Sequence, residues 1–244
     1  MPPISRRQVI ADDLRNQISS GHIEAGERLP SEAQLASRYG VSTPTLRNAL
    51  ADLQTEGLVE KIHGKGNFVR HRLRRLTYVG GGILTQASPT TEPLHVTVRT
   101  NHLRAQGPLT DLLKVSADSP VTEFRCLSHE GRSPHSLACI YVPSDLAPAN
   151  VPSESPWSEG VEAHLSAHRP PSTEIQETLT ARHPTPEEAA TLRISSALAV
   201  LAIKRVAADS NGRVIEAALL VLPGDRADAT FTSNPTTSER RAEG

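Results

Sequence analysis

Between Ser42 and Asn48 the chain reads Ser-Thr-Pro-Thr-Leu-Arg-Asn. If this stretch is a helix, Leu46, Ala49, Leu50 and Leu53 fall on one apolar face and Thr43, Thr45, Arg47 and Asn48 on the other. The second set carries hydroxyl and amide groups that bond base edges or phosphates. It also carries one guanidinium able to bind a guanine or a phosphate in two-pronged fashion. Ser42 or Thr43 can cap this helix, and Pro44 is tolerated in a first turn. Downstream, Leu58–Ile62 and Asn67–Arg70 read as two strands joined by His63-Gly64-Lys65-Gly66. The glycines allow a backbone to approach closely, which puts Lys65 and Gly66 at a tip where phosphates would lie, with Arg70 as a further phosphate contact.

Other elements must hold these groups in place. Ile10, Leu14 and Ile18 recur every four residues and predict a first helix over Arg6–Ser20. Ser31 and Gln34 form a capping box that starts a second helix, and Gly40 closes it into a three-residue turn. Ser31 at this helix start is a further candidate phosphate contact. Three helices followed by a hairpin make a winged helix-turn-helix.

Composition agrees. Residues 1–75 carry 12 Lys and Arg against 8 Asp and Glu, whereas the whole 244-residue chain has a net charge of −1. A basic head on an acidic body suggests that only the head meets a polyanion. No apolar run is long enough to cross a bilayer, and Met1–Arg7 lacks the apolar stretch of a secretory signal. Two cysteines, Cys126 and Cys139, are too few for a disulfide framework, so a reducing cytoplasm is the expected location. Placed about equally on either side of a predicted turn, the two are expected to oppose each other on neighbouring strands, as small buried thiols or as a redox pair. His164 and His168 have helical i, i+4 spacing but no evident third ligand, so no metal and no cofactor are expected. No nucleophile–base pair or phosphate loop points to catalysis.

The chain divides into a head (1–70), a linker (71–93, basic, then Gly80-Gly81-Gly82 and a Ser/Thr/Pro-rich run), a body (94–232) and a polar tail (233–244). The body contains an internal repeat. Leu109–Pro143 and Glu188–Pro223 share one layout: a helical piece ending in Leu113-Lys114-Val115 or Leu192-Arg193-Ile194, a strand opened by Val121 or Val200, a basic residue at Arg125 or Lys204, and a glycine turn. A second strand then ends at Pro143 or Pro223, with an aspartate two residues on. This predicts two helix–hairpin units on one shared sheet.

The run Gly26-Glu27-Arg28-Leu29-Pro30-Ser31-Glu32, with Tyr39-Gly40-Val41-Ser42, Thr45-Leu46-Arg47, Glu56-Gly57-Leu58-Val59 and Gly64-Lys65-Gly66-Asn67-Phe68-Val69, resembles the DNA-binding domain of GntR-family regulators over residues 6–70. The body resembles the UTRA domain of the HutC subfamily, itself similar to the chorismate lyase fold, in the strand with Arg125, the Gly131–Pro143 hairpin and the Gly212–Arg226 run. The resemblance implies an α+β protein with a winged helix-turn-helix followed by a mixed α/β effector-binding and dimerising domain. It implies a homodimeric, non-enzymatic transcription regulator, a repressor released from a palindromic operator by a small molecule. The alternative is a dimeric repressor of plasmid or phage type that needs no effector. Ala33 and Thr43 stand where the family often has arginine, which implies an operator of its own or greater reliance on Arg47 and Lys65. Arg125 and Glu216 fall where the family contacts its ligand, though a salt bridge between them inside the sheet would serve equally. A second arginine is missing near Leu127, a carboxylate near Ala138, a hydroxyl near Gly160 and an aromatic near Leu222, which implies a less anionic effector or none.

Overall fold

The computed structural model describes residues 5–70, 75–79, 83–86, 94–131, 133–156, 165 and 167–232. The head comprises α1 (Arg6–Ser19), α2 (Glu32–Tyr39), α3 (Thr43–Thr55), β1 (Val59–Ile62) and β2 (Gly66–Val69). One core unites them: Ile10 and Leu14 of α1, Leu35 of α2, and Leu46, Leu50 and Leu53 of α3 close on Leu29, Val59 and Val69. Leu46 is fully buried, so Leu46→Ala should cost about 2–5 kcal/mol. Arg15 ties α1 to the end of α3 through a two-pronged bond to Glu56.

The body comprises β3 (Leu76–Val79), β4 (Ile83–Gln86), β5 (His95–Arg104), α4 (Pro108–Leu113), β6 (Pro120–Glu130), β7 (Ser133–Pro143), β8 (Glu154–Pro156), β9 (Glu174–Arg182), α5 (Pro186–Leu192), β10 (Val200–Ala208), β11 (Val214–Pro223) and β12 (Ala227–Thr230). Its centre is a seven-stranded sheet in the order β8-β5-β6-β7-β11-β10-β9, with every neighbour antiparallel. The order is symmetric about the β7–β11 pair, as the repeat predicts: β5, β6 and β7 correspond to β9, β10 and β11. The match extends to detail. Lys114 and Arg193, closing α4 and α5, both take the left-handed conformation at φ 51 and φ 50. Ser144 N donates to Pro120 O in one unit, and Gly224 N donates to Ala199 O in the other.

The helices cover one face of this sheet. Val121 and Ala217 pack with Leu113 of α4, while Leu137 and Val221 pack with Leu192 of α5. On the other face, Ile203, Leu220 and Leu222 pack against Leu76 and Tyr78 of a second, three-stranded sheet ordered β12-β3-β4. The same face carries Phe124 and Cys126, which pack around Leu165.

The 71–93 stretch is therefore not simply a linker. Leu76–Val79 pairs in parallel with Ala227–Thr230 and antiparallel with Ile83–Gln86, and both Leu76 and Tyr78 are fully buried. Alternation of apolar Leu76 and Tyr78 with Thr77 and Val79 makes a half-buried strand. The Gly80–Gly82 run, the Ser88–Pro93 run and the 233–244 tail lie outside the described residues. No helix among the described residues is long and apolar enough to cross a membrane.

Candidate nucleic-acid interface

Burial of the α3 apolar stripe turns its other face outward. Arg47 and Asn48 are exposed, and Thr43 and Thr45 are half-buried. The α2–α3 turn is fixed from both ends. At the start of α2 the capping box forms: Ser31 Oγ accepts from Gln34 N at 3.3 Å, and Gln34 Oε1 accepts from Ser31 N at 2.9 Å. Gly40 closes α2 at φ 61, a conformation that favours glycine. Ser42 occupies the cap position of α3 but does not cap it through its side chain. Its hydroxyl lies 2.9 Å from the Thr45 hydroxyl instead, tying two candidate contact groups together.

Arg47, with 63% of its side chain exposed, donates from Nε to Glu32 Oε2 at 2.5 Å, and Lys61 Nζ lies 3.6 Å from the other Glu32 oxygen. The Arg47 hydrogen bond, with its charge, holds the Glu32 carboxyl below its ordinary range. These residues flank a groove of about 370 Å³ where α2, α3 and the hairpin meet, lined also by Arg28, Ser31, Thr43 and Gly66. Arg28 pairs with Phe68 as an added edge of the β1–β2 ribbon, and a Cβ on Gly66 would come within 3.3 Å of Arg28 Nε. Lys65 is exposed at the ribbon tip beside Gly64 (φ 72) and Gly66 (φ 111). Of the expected contact residues, Ser31, Thr43, Arg47 and Gly66 line this one groove; Ser42 and Thr45 are joined to each other, Asn48 is exposed on α3, and Lys65 stands at the ribbon tip on the side that faces the body. Two cations of this surface, Arg28 and Lys61, escaped the sequence reading. Strand parity offers no signal for Lys61, which shares the face of buried Val59; it is exposed because β1 runs out past the core toward the ribbon tip, where Ile62 is exposed as well.

Arg70 does not join this surface. Its side chain is 9% exposed and donates to Asp225 Oδ2 at 2.7 Å and to Gly57 O at 3.2 Å, bridging head and body. The other Asp225 oxygen is 3.5 Å from Nε of buried Arg226. Burial, with the nearby Arg70 charge, pulls the Arg226 guanidinium down to about 10. Gly57, at φ 74, is packed so closely here that a Cβ would stand 2.6 Å from Asp225 Oδ2. A buried guanidinium already committed to a carboxylate has no geometry left for DNA phosphate.

In the body, Arg125 and Glu216 are not brought together. Arg125 is in register with Cys139, which is in register with Leu219 and, beyond it, Lys204, so this row lies on the helix face. Arg125 reaches Glu187 of α5 at 2.6 Å. Glu216 pairs with Ala207 and points to the opposite face, where it is 2% exposed and ion-paired to Arg169 and Arg205. Arg205 faces Glu177 across β9 and β10, and Glu177 accepts from the Tyr78 hydroxyl. A single pocket lined by both Arg125 and Glu216, or a salt bridge between them, is excluded by the sheet itself. Leu127 shares the face of Arg125, while Ala138 and Leu222 share that of Glu216. Cys126 pairs with Ala138 rather than Cys139, so the two thiols lie on opposite faces and both are free. Of the paired histidines, His164 lies outside the described residues.

A winged helix-turn-helix head joined to a duplicated antiparallel-sheet body defines a class of DNA-binding regulator. Residues 6–69 match the model for bacterial regulatory proteins of the gntR family, and residues 90–228 match that of the UTRA domain. The chain belongs to the GntR family, in the HutC arrangement of helix-turn-helix followed by UTRA domain, and is a transcriptional regulator rather than an enzyme. The HTH-type transcriptional regulator RB1450 of Rhizobium meliloti is 30% identical over 226 residues, which cover 89% of this chain and 90% of the relative. The HTH-type transcriptional repressor NagR of Bacillus subtilis is 27% identical over 227 residues, covering 92% and 93%. The crystal structure of PhnF from Mycobacterium smegmatis shares the fold at a TM-score of 0.55 and 20% identity, covering 93% of this chain and 100% of that one.

Proposed function

We propose that this regulator is a cytoplasmic homodimeric repressor that binds a near-palindromic operator and is released from it by a small molecule held in the body. The observation that carries the DNA side is the convergence of Arg28, Arg47 and Lys61 on one groove between α2, α3 and the ribbon, with Asn48 and Lys65 exposed beside it. A duplex major groove accepts a helix such as α3. Arg47 and Asn48 then meet base edges, while Ser31, Ser42, Thr43, Thr45, Lys65 and Gly66 meet the backbone. Two copies related by a twofold axis place two α3 helices about one DNA turn or a multiple apart, which a palindrome matches. The repressor name of the relative NagR supports the direction of control.

Arg47→Ala is the direct test. It should weaken operator binding by about 1–3 kcal/mol and lower the salt dependence of binding, read by fluorescence anisotropy across a salt series. Unchanged affinity with an unchanged salt slope would exclude α3 as the reading helix.

One observation favours a second reading, a repressor without an effector. Glu216, the carboxylate at the family's ligand position, is already matched by Arg169 and Arg205. A thermal-shift screen of small metabolites separates the two. Stabilisation by one compound class, lost in Glu216→Gln, supports effector control; none across the screen supports the second reading. Release needs little differential binding, since about 1.4 kcal/mol between two body states gives a tenfold change in operator affinity.

A further inference from the structure

Head and body leave a cleft of about 820 Å³ between the β1–β2 ribbon and α5 with the turn that follows it. Its accessible apolar surface is Ile62 of the ribbon and Pro186 and Ala189 of the body, over the buried side chains of Val59 and Ile194. Lys61, Lys65 and Arg193 supply three exposed permanent cations around it, beside the His63 imidazole, against the single carboxylate of Glu60. Lys61 has only the 3.6 Å contact to Glu32, and neither Lys65 nor Arg193 forms an ion pair among the described residues. Ser195 and Ser196 add hydroxyls next to Arg193. Unsatisfied cations over an apolar floor, drawn from two domains, match an anion with an apolar body.

We propose that this cleft is a second ligand site, distinct from the inner face of the body sheet, and that it takes a small organic phosphate carrying an apolar ring or chain. The phosphate is held by Arg193 and the ribbon lysines, and the apolar part lies on Ile62, Pro186 and Ala189. Such a ligand bridges the ribbon to the body. It also engages Lys61 and Lys65, two cations on which the DNA reading above depends, so ligand and operator oppose each other, and by linkage each weakens the other equally.

Phenyl phosphate is a suitable probe, with inorganic phosphate at matched ionic strength as its control. Calorimetric titration of the full-length protein should show phenyl phosphate binding at least tenfold more tightly than inorganic phosphate. Equal affinity would overturn the role of the apolar floor. Two variants place the site. Arg193→Gly removes the guanidinium while relaxing a left-handed backbone, and Ala190→Trp fills the cleft from an exposed helix position. Each should weaken the probe at least tenfold while keeping the fold, checked by circular dichroism, and keeping operator affinity in the absence of probe. Wild-type affinity in both variants, or no binding at millimolar probe, would overturn the site. Probe at a concentration near its wild-type Kd should weaken operator binding by the wild type clearly more than by Arg193→Gly; probe binding without any such effect would overturn the coupling. Failure of the chain to bind any operator would instead defeat the DNA reading, leaving the calorimetric result to stand separately.

Discussion

Glu32 has a double role among the side chains of the head. It receives Arg47 and approaches Lys61, so the cations that DNA would engage are held apart from solvent disorder by a carboxylate. Because pairing depresses the folded-state value of Glu32, its contribution to stability is complete above the ordinary carboxylate range. It is lost as pH falls through the lowered value. The pair is partly exposed, so the effect is below about 1 kcal/mol. Urea unfolding of wild type and Glu32→Gln should therefore converge on acidification; a difference that grows instead would contradict this sign. The thiols give a second test. Burial pushes the Cys126 thiol up to about 12 and also raises Cys139. With the two on opposite faces, mild oxidation of the native protein should form no internal disulfide, checked by intact mass. A product lighter by two hydrogens would show that β6 and β7 pair in another register.

At the level of elements, the latch of Arg70, Asp225 and Gly57 decides how the head is held. Asp225→Asn leaves the Arg70 charge buried without its counter-charge and should cost roughly 1–3 kcal/mol. Gly57→Ala meets both a left-handed backbone and the Asp225 carboxylate, at a similar cost of roughly 1–3 kcal/mol. Both should split calorimetric unfolding into separate head and body transitions. A single transition with unchanged midpoint in both would mean that the latch carries no coupling. The helix-turn-helix, the ribbon and the duplicated helix–hairpin units were legible because local signals define them: the stripe of α3, the capping box, the glycines of the ribbon and the spacing of the repeat. Arg70 was not legible, since its partner lies 155 positions away and only docking of the domains makes the pair. The face of Glu216 was equally hidden. β11 is apolar almost throughout, so no alternation tells which side is in. β3 was masked by the basic and glycine-rich runs on either side, although Leu76 and Tyr78 carried the alternation.

On the scale of the whole molecule, the pseudo-twofold of the body has been put to unequal use. Asp145 and Asp225 occupy matching positions after β7 and β11, yet Asp145 holds Arg213 within the body while Asp225 holds Arg70 of the head. One unit supports the scaffold and its twin faces the DNA-binding domain. Lys114→Gly and Arg193→Gly, at the matching helix ends, should each be neutral to stabilising by up to about 1 kcal/mol. A clear loss of stability in thermal melts of either would mean that the side chain, not the backbone, governs that corner. The second sheet makes a sharper demand. A chain ending at Arg226 lacks β12, leaving one edge of β3 open beside Leu76 and Tyr78. Its body should melt lower than that of the full chain and bind a hydrophobic dye, whereas the head, whose core is its own, should keep its helical signal.

The parallel pairing of Leu76–Val79 with Ala227–Thr230 also sets an order of events during synthesis. All of the head leaves the ribosome early, but the strand that anchors it to the body has no parallel neighbour until Thr230 has emerged. Nascent or prematurely terminated chains would then carry a folded helix-turn-helix, whose core is its own, ahead of a body whose second sheet is unfinished.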